Sequence, residues 1–282
     1  MRKGRWGTFA CTLRGSEMTD AECVGFLQWA LPRLGLRWEG FRKVRRQVCR
    51  RVSRRIAELE LKDADTYRAF LEGHEREWDV LAHLCRVTIS RFWRDRAVFE
   101  TLRDEVLPAL GPTVSAWSAG CASGEEPYSL VLASAEAGVA IRVLATDVDP
   151  ALLERAERGC YPESSLRDLP AEVRERAFDR GCLRAKHREP VQLRRHDLRD
   201  DPPSGPFDVV LCRNLVFTYF ADDLRLEIGR RLVRSLRPGG ALVVGAHEAL
   251  PDGLSDFEPW SARHGVYRCR EASYADAEDR RP

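Results

Sequence analysis

The residues best placed to do chemistry lie in three short segments of the second half of the chain. The first is Trp117-Ser118-Ala119-Gly120-Cys121-Ala122-Ser123-Gly124-Glu125-Glu126-Pro127-Tyr128-Ser129. Small residues cluster there between a predicted strand and a predicted helix. Backbone can therefore approach a ligand closely, and Pro127 suits a first helical turn. Two carboxylates at a helix start would repel a diphosphate, which argues against a dinucleotide. They could hold a cation or accept hydrogen bonds from an amino group. S-adenosylmethionine offers both, as a sulfonium and an ammonium. On spacing alone, Glu125 and Glu126 could equally do no more than complement the helix dipole.

The second segment is Ala145-Thr146-Asp147-Val148-Asp149-Pro150. An acidic residue at the end of a second strand, about 20 residues beyond a glycine-rich turn, is placed to hold ribose hydroxyls. Asp147 fits that role, whereas Asp149 before Pro150 reads as a helix cap. The third is Phe207-Asp208-Val209-Val210-Leu211-Cys212-Arg213-Asn214. Here a buried strand runs out into Arg-Asn at its carboxyl edge, where open α/β sheets bind ligands. The plain alternative is a strand-end turn with a surface arginine.

These segments need strands and helices to hold them. Strands are expected at Val114–Ser118, Ile141–Thr146, Val191–Leu198, Phe207–Cys212, Ala241–Gly245 and Val266–Arg270. Helices are expected at Glu125–Ala137, Pro150–Arg158 and Asp222–Leu236, the last stopped by Pro238-Gly239-Gly240. The alternation predicts an α/β fold with a Rossmann-like, mainly parallel doubly wound sheet. Before residue 90 only helices are expected. Thr19-Asp20-Ala21-Glu22 has the form of a capping box, followed by Cys23, Phe26, Leu27, Ala30 and Leu31 at helical spacing. Phe41, Val44, Val48, Val52, Ile56 and Leu59 form one apolar helix face. Shorter helices are expected at Tyr67–Leu71 and Trp78–Cys85. Asp95 can cap a linking helix that ends near Pro108. The expected organisation is a disordered arm or start-site artefact at 1–17 and a small helical N-terminal domain at 18–90. A linking helix at 91–112, a cofactor-binding domain at 113–272 and a flexible tail at 273–282 follow.

Of the 282 residues 44% are hydrophobic and 32% charged, with a net charge of +2. Near-neutrality speaks against whole-molecule steering to nucleic acid. No apolar run approaches the ~20 residues of a membrane span, and no signal peptide is read. The nine cysteines are scattered without zinc spacing and read as reduced thiols of a cytoplasmic protein.

Taken together the segments resemble the CheR-type methyltransferases, which methylate glutamates of chemotaxis receptors, from about Thr19 to Arg270. Ser90-Arg91-Phe92-Trp93-Arg94-Asp95 resembles the family's Thr-x-Phe-Phe-Arg-(Asp/Glu). Trp117–Ser129 resembles its Glu-Glu-Pro-Tyr-Ser turn, and Ala145–Asp149 its Ala-(Thr/Ser)-Asp-(Ile/Val)-Asp. Cys212-Arg213-Asn214 resembles its Cys-Arg-Asn, and Pro238-Gly239-Gly240 its Pro-Gly-Gly. The resemblance implies S-adenosylmethionine as cofactor and S-adenosylhomocysteine as product. Arg94, Gly120, Glu126, Asp147, Arg213 and Asn214 would line the cofactor site, with no metal. Thr88 and Ser90 match positions where the family usually has Asn and Thr. Asp197 and Leu198 match a usual Asn-Leu near the adenine. Arg94 would orient the acceptor carboxylate, with Tyr219 as helper. Three departures stand out. The loop Leu215–Phe220 is one residue longer than usual, the segment Arg180–Arg188 is short, and Gly245-Ala246-His247-Glu248 replaces Gly-His-x-Glu.

Eight Lys/Arg lie between residues 42 and 55. They read either as a solvated face or as a dock, on the helix spanning 41–59, for an acidic protein such as a chemoreceptor cytoplasmic region. Nucleic acid is disfavoured because no aromatics interleave the charges. The chain is expected to act as a monomer. Beside receptor-glutamate methylation stand three alternatives. They are methylation of another protein or a small molecule, a cofactor-binding regulatory module without catalysis, and a nicotinamide-dependent dehydrogenase, against which the Glu-Glu helix start counts.

Overall fold

The computed structural model describes residues 18–260 and 265–270. The expected arm 1–17 and tail 273–282 lie outside the described residues. The chain divides into two compact units, one running to Val87 and the other starting at Thr88.

The first unit is helical: α1 (Asp20–Arg33), α2 (Trp38–Phe41), α3 (Arg45–Glu58), α4 (Ala64–Gly73) and α5 (Glu75–Leu84). The capping box forms as its sequence predicts, with Thr19 and Glu22 each accepting the other's backbone N–H. Cys23, Phe26, Leu27, Ala30 and Leu31 are the buried face of α1. The single helix expected over Phe41–Leu59 is broken at Arg42–Val44. Phe41 and Val48 are seven residues apart, two helical turns, so the apolar period runs through the break in phase and hides it. Of the eight cations, exposed Arg42 lies 3.9 Å from Glu39, and the other seven divide by burial. Arg45 pairs with Asp20 at 3.0 Å, and Arg51 donates to the carbonyls of Leu84 and Arg86 at the end of α5. Arg55 grips both carboxylate oxygens of Glu77 at 2.9 Å, and the Tyr67 hydroxyl donates to the same carboxylate at 2.9 Å. Lys43, Arg46, Arg50 and Arg54 are exposed and make no ion pair among the described residues.

The second unit opens with α6 (Arg96–Thr101), a π-helical turn at Leu102–Val106 and α7 (Leu107–Leu110). The helical run thus passes through Pro108, where the sequence suggests a stop. The widened turn precedes the residue that lacks an N–H and would crowd the carbonyl of the turn before it. Asp95 does not cap α6. Its φ is 60° and its side chain makes no cap hydrogen bond, being directed to Arg213 instead. Then follow β1 (Thr113–Ala119), α8 (Glu125–Glu136), β2 (Ala140–Asp147), α9 (Pro150–Arg158), α10 (Glu163–Leu166) and α11 (Ala171–Ala177). A minimal hairpin, β3 (Phe178–Asp179) and β4 (Cys182–Leu183), leads through α12 (Ala185–Arg188) to β5 (Val191–Arg195). The chain closes with β6 (Phe207–Leu211), α13 (Val216–Tyr219), α14 (Asp222–Ser235), β7 (Leu236–Val243), β8 (Phe257–Pro259) and β9 (Val266–Cys269).

Seven strands pair in the order β5-β2-β1-β6-β7-β9-β8, parallel except where β9 meets β7 and β8. The α/β, mainly parallel architecture expected from the alternation is the one observed. One sheet face packs on α8 through residues such as Leu130 and Ala133. The other packs on α14 through Ile228 and Leu232, so both faces are apolar, as parallel strands require. Pro238-Gly239-Gly240 falls inside β7 rather than ending before it. There the β6–β7 register skips from Phe207↔Leu236 to Val209↔Ala241 and the glycines bulge out.

Four of the cysteines are not the reduced thiols the sequence suggests. Cys23–Cys49 and Cys160–Cys182 are disulfides. Their separations of 26 and 22 residues carry no pairing signal. Helix packing and a lone β-bridge bring them together. Cys85, Cys121, Cys212 and Cys269 are buried and take no part in these disulfides. Among the described residues no helix is long and apolar enough to cross a membrane, and no group of three His, Cys, Asp or Glu could hold a metal.

The Arg55–Glu77–Tyr67 contact yields a stability prediction. Glu77→Ala leaves a partly exposed guanidinium and the buried Tyr67 hydroxyl without their acceptor and should cost about 1–2 kcal/mol by chemical denaturation. Hydrogen bonds from Arg55, and then from Tyr67, hold the Glu77 carboxyl below its usual 4.5 against the opposing effect of burial. A depressed carboxyl stabilises above its unfolded value. The wild-type advantage should therefore be level from neutral pH to about 4.5 and vanish as pH falls further.

Candidate functional site

From β1 the chain moves outward through β2 to β5, then crosses to β6 and moves the other way. The crevice between the carboxyl ends of β1 and β6 is thus the switch point of the sheet, where such folds bind ligands. Three connections meet there: the turn after β1, the end of β2 and the loop after β6.

The turn after β1 is sewn to β2 by the N–H groups of Gly120 and Cys121, both donating to the Thr146 carbonyl at 2.8 Å. Gly120 has φ 84°, and a Cβ there would lie 2.2 Å from Leu215 Cδ2, so only glycine fits. Asp147 takes the N–H of Ala122 on one oxygen at 2.9 Å and that of Asp149 on the other at 3.0 Å. Asp149 caps α9 through the Ala151 N–H at 3.0 Å, the role its position before Pro150 predicts.

Glu125 and Glu126 point different ways. Glu125 is 1% exposed and accepts from Ser123 at 2.8 Å, with Arg155 at 3.8 Å. Glu126 accepts from Ser118 at 2.8 Å and faces Arg213 at 3.5 Å. Burial raises the Glu126 carboxyl, while Arg213, Ser118 and Arg94 pull against it. The pair therefore does more than complement the dipole of α8.

Arg213 is not the surface arginine of the plain reading: its side chain is 2% exposed. One nitrogen donates to the Arg94 carbonyl at 2.6 Å and to the Asp95 carboxylate at 2.9 Å. Another reaches Glu126, and the guanidinium lies 5.0 Å from the Phe99 ring centroid. It ties the segment carrying Arg94 to the sheet edge. Around it the backbone is left-handed at three non-glycine residues, Trp93 (φ 51°), Asp95 (φ 60°) and Asn214 (φ 54°). Arg94 itself donates to the Ile89 carbonyl at 2.6 Å. Tyr219, at the end of α13, is half-buried. Burial raises its hydroxyl, Arg94 opposes and Glu248 adds, so these groups lie within electrostatic reach of one another.

The remaining predicted residues lie around this cluster. Thr88 is exposed and Ser90 half-buried, both in the segment leading to Arg94. Asp197 and Leu198 follow β5 beside the end of β2, where the His196 N–H donates to the Asp147 carbonyl at 3.1 Å. The Asp197 carboxylate is committed to Arg199 at 2.7 Å, which holds it below its usual range despite burial. Leu198 packs in the core. Burial pushes the Cys212 thiol well up, so it is no thiolate nucleophile. The sequence reading gave no role to Ser118, Thr218 or Glu248, and read Asp95 as a cap. An acidic residue beside Arg94 and another beside the displaced His247 were the available signals.

Residues 88–266 match the family described as "CheR methyltransferase, SAM binding domain". The chain is 36% identical over 183 residues to a chemotaxis protein methyltransferase of Listeria monocytogenes, covering 61% of this chain and 69% of that protein. It is 33% identical over 222 residues to the Escherichia coli chemotaxis protein methyltransferase, covering 72% and 76%. A 104.1 kDa uncharacterised protein of Rhodobacter capsulatus is 34% identical over 250 residues, 83% of this chain but only 26% of that protein.

The chemistry of the donor set fits S-adenosylmethionine. Asp147 offers a carboxylate to ribose, the Gly120 turn offers bare backbone, and Glu126 offers negative charge to a cationic methionyl group. The buried Arg213 guanidinium is already engaged by Asp95 and Glu126, which leaves it poorly suited to a diphosphate. Asp147→Ala should weaken S-adenosylhomocysteine binding about 10- to 100-fold by calorimetry. Gly120→Ala should also weaken it, because Leu215 must move, while α/β circular dichroism stays intact.

Proposed function

This chain belongs to the CheR methyltransferase family, S-adenosylmethionine-dependent enzymes, and we propose that it methylates glutamate carboxylates of a chemoreceptor-like protein. The observation that carries the reading is the acidic, glycine-lined crevice formed by Gly120, Glu126 and Asp147, with Arg94 and Tyr219 within electrostatic reach of one another. A carboxylate is ionised near neutrality, so no general base is required. Arg94 orients it, and Tyr219, whose hydroxyl is held protonated, donates a hydrogen bond to it. Gly120, Glu126, Asp147 and Asn214 hold the cofactor. Thr88, Ser90, Asp197 and Leu198 border it, and Arg213 acts from beneath. When bound, the cofactor supplies a methyl on a sulfonium, which passes to a carboxylate oxygen as the carbon–sulfur pair returns to sulfur, leaving an ester, a thioether and no proton to move. The protein's own contribution is alignment and exclusion of water.

The acceptor docks on α3. Arg46, Arg50 and Arg54 recur every four residues on one exposed face, matched to an acidic helix, and their neighbours Arg45, Arg51 and Arg55 are spent internally. Relatives named chemotaxis protein methyltransferase support this acceptor class. The reading takes the chain as a cytoplasmic monomer, with a helical part at 18–90 and a catalytic part at 113–272 joined by 91–112. Reducing conditions there would open its two disulfides.

The test is transfer of radiolabelled methyl to membrane and soluble fractions of the source cell, with Asp147→Ala as control. Base-labile label on a membrane protein, absent in the control, is the expected result. Label on a soluble or base-stable product would move the acceptor elsewhere. Arg94→Lys should slow transfer about tenfold or more. Glu substitution of Arg46, Arg50 and Arg54 together should raise acceptor KM about tenfold and flatten its salt dependence.

A further inference from the structure

The loop after β6 carries Asn214 and Tyr219. The Glu248 carboxylate holds it from the loop after β7. It is 9% exposed and accepts three hydrogen bonds. One oxygen takes the backbone N–H of Asn214 at 2.7 Å and that of Gly245 at 2.7 Å. The other takes the Thr218 hydroxyl at 2.5 Å.

The clamp therefore grips both ends of the loop. Asn214 sits in left-handed backbone where the chain leaves β6, and Thr218 directly precedes Tyr219. Gly245 makes room for it: a Cβ there would fall 2.8 Å from Asn214 Oδ1 and 2.9 Å from Glu248 Oε2. All three donors are neutral, so the contact orients without neutralising the carboxylate. Its charge reaches both Tyr219 and Glu126.

We propose that Glu248 is a positioning residue that, through Asn214 and Thr218, fixes the loop after β6 and with it the placement of Tyr219. The catalytic part of this rests on the methyltransferase reading above.

Three variants test it. Glu248→Gln keeps the shape: its carbonyl can accept both N–H groups and its amide can donate to the Thr218 hydroxyl. Glu248→Ala removes all three bonds, and Thr218→Val only the one next to Tyr219. Transfer should fall about 10- to 100-fold in Glu248→Ala, with S-adenosylhomocysteine binding also weakened. Thr218→Val should lower kcat while S-adenosylhomocysteine affinity and acceptor KM hold. Glu248→Gln should recover most of the rate. Amide exchange of Asn214 and Gly245 should be slow in wild type and Glu248→Gln and fast in Glu248→Ala, a readout independent of catalysis. Equal exchange in all three would overturn the clamp. So would a Gln variant as slow in transfer as Ala, or a normal kcat in Thr218→Val. Absence of transfer by the wild type would strike the function reading instead, with the clamp then judged by exchange alone.

Discussion

The site depends on one buried cation. Arg213 leaves the end of β6 and has almost no contact with water, so its charge must be met inside the protein. It is met by carboxylates from two other parts of the unit, Asp95 and Glu126, and by the Arg94 carbonyl. Those contacts join three segments that are far apart in sequence. Removing Arg213 would leave two carboxylates without their cation and free the segment that carries Arg94. The left-handed backbone at Trp93 and Asp95, costing about 1–3 kcal/mol each, persists because this pairing over-determines it.

The same electrostatic pattern selects the ligand. Phosphate sites in doubly wound sheets leave helix N–H groups bare and add cations. Here the start of α8 carries two carboxylates, and the nearby guanidinium is turned inward to satisfy acidic groups. What faces the crevice is a carboxylate at the end of β2, a bare glycine turn and a buried acid beside Ser118. A cationic nucleoside suits that surface, and a dinucleotide does not. Arg94 lies in the segment that Arg213 ties down and Tyr219 in the loop after β6, within electrostatic reach of one another.

Much of this was legible in the residues because local signals agreed with the fold. Strand periods, the Pro150 helix start and the capping box at Thr19 report short-range physics, and the elements formed where those signals lie. The three site segments were legible because each sits at a strand end with unusual composition. What was hidden depends on contacts distant in sequence. Asp95 looked like a helix cap because nothing local distinguishes a cap from an ion-pair partner 118 residues away. Glu248 lies 34 residues from the Asn214 it holds. The break between α2 and α3 stayed invisible because the apolar phase survives it. The disulfides arise from packing alone. The π-helical turn before Pro108 shows the chain accommodating a breaker that a local rule would treat as an end.

The most direct test of the account is a crystal structure of the full chain with S-adenosylhomocysteine. It should show the ribose on Asp147 at the carboxyl edge of β1 and β2, with Arg213 still paired to Asp95 and Glu126 beneath the ligand. Ligand bound elsewhere, or Arg213 swung away from Asp95 to meet it, would contradict the claim that this buried cation builds the site rather than filling it.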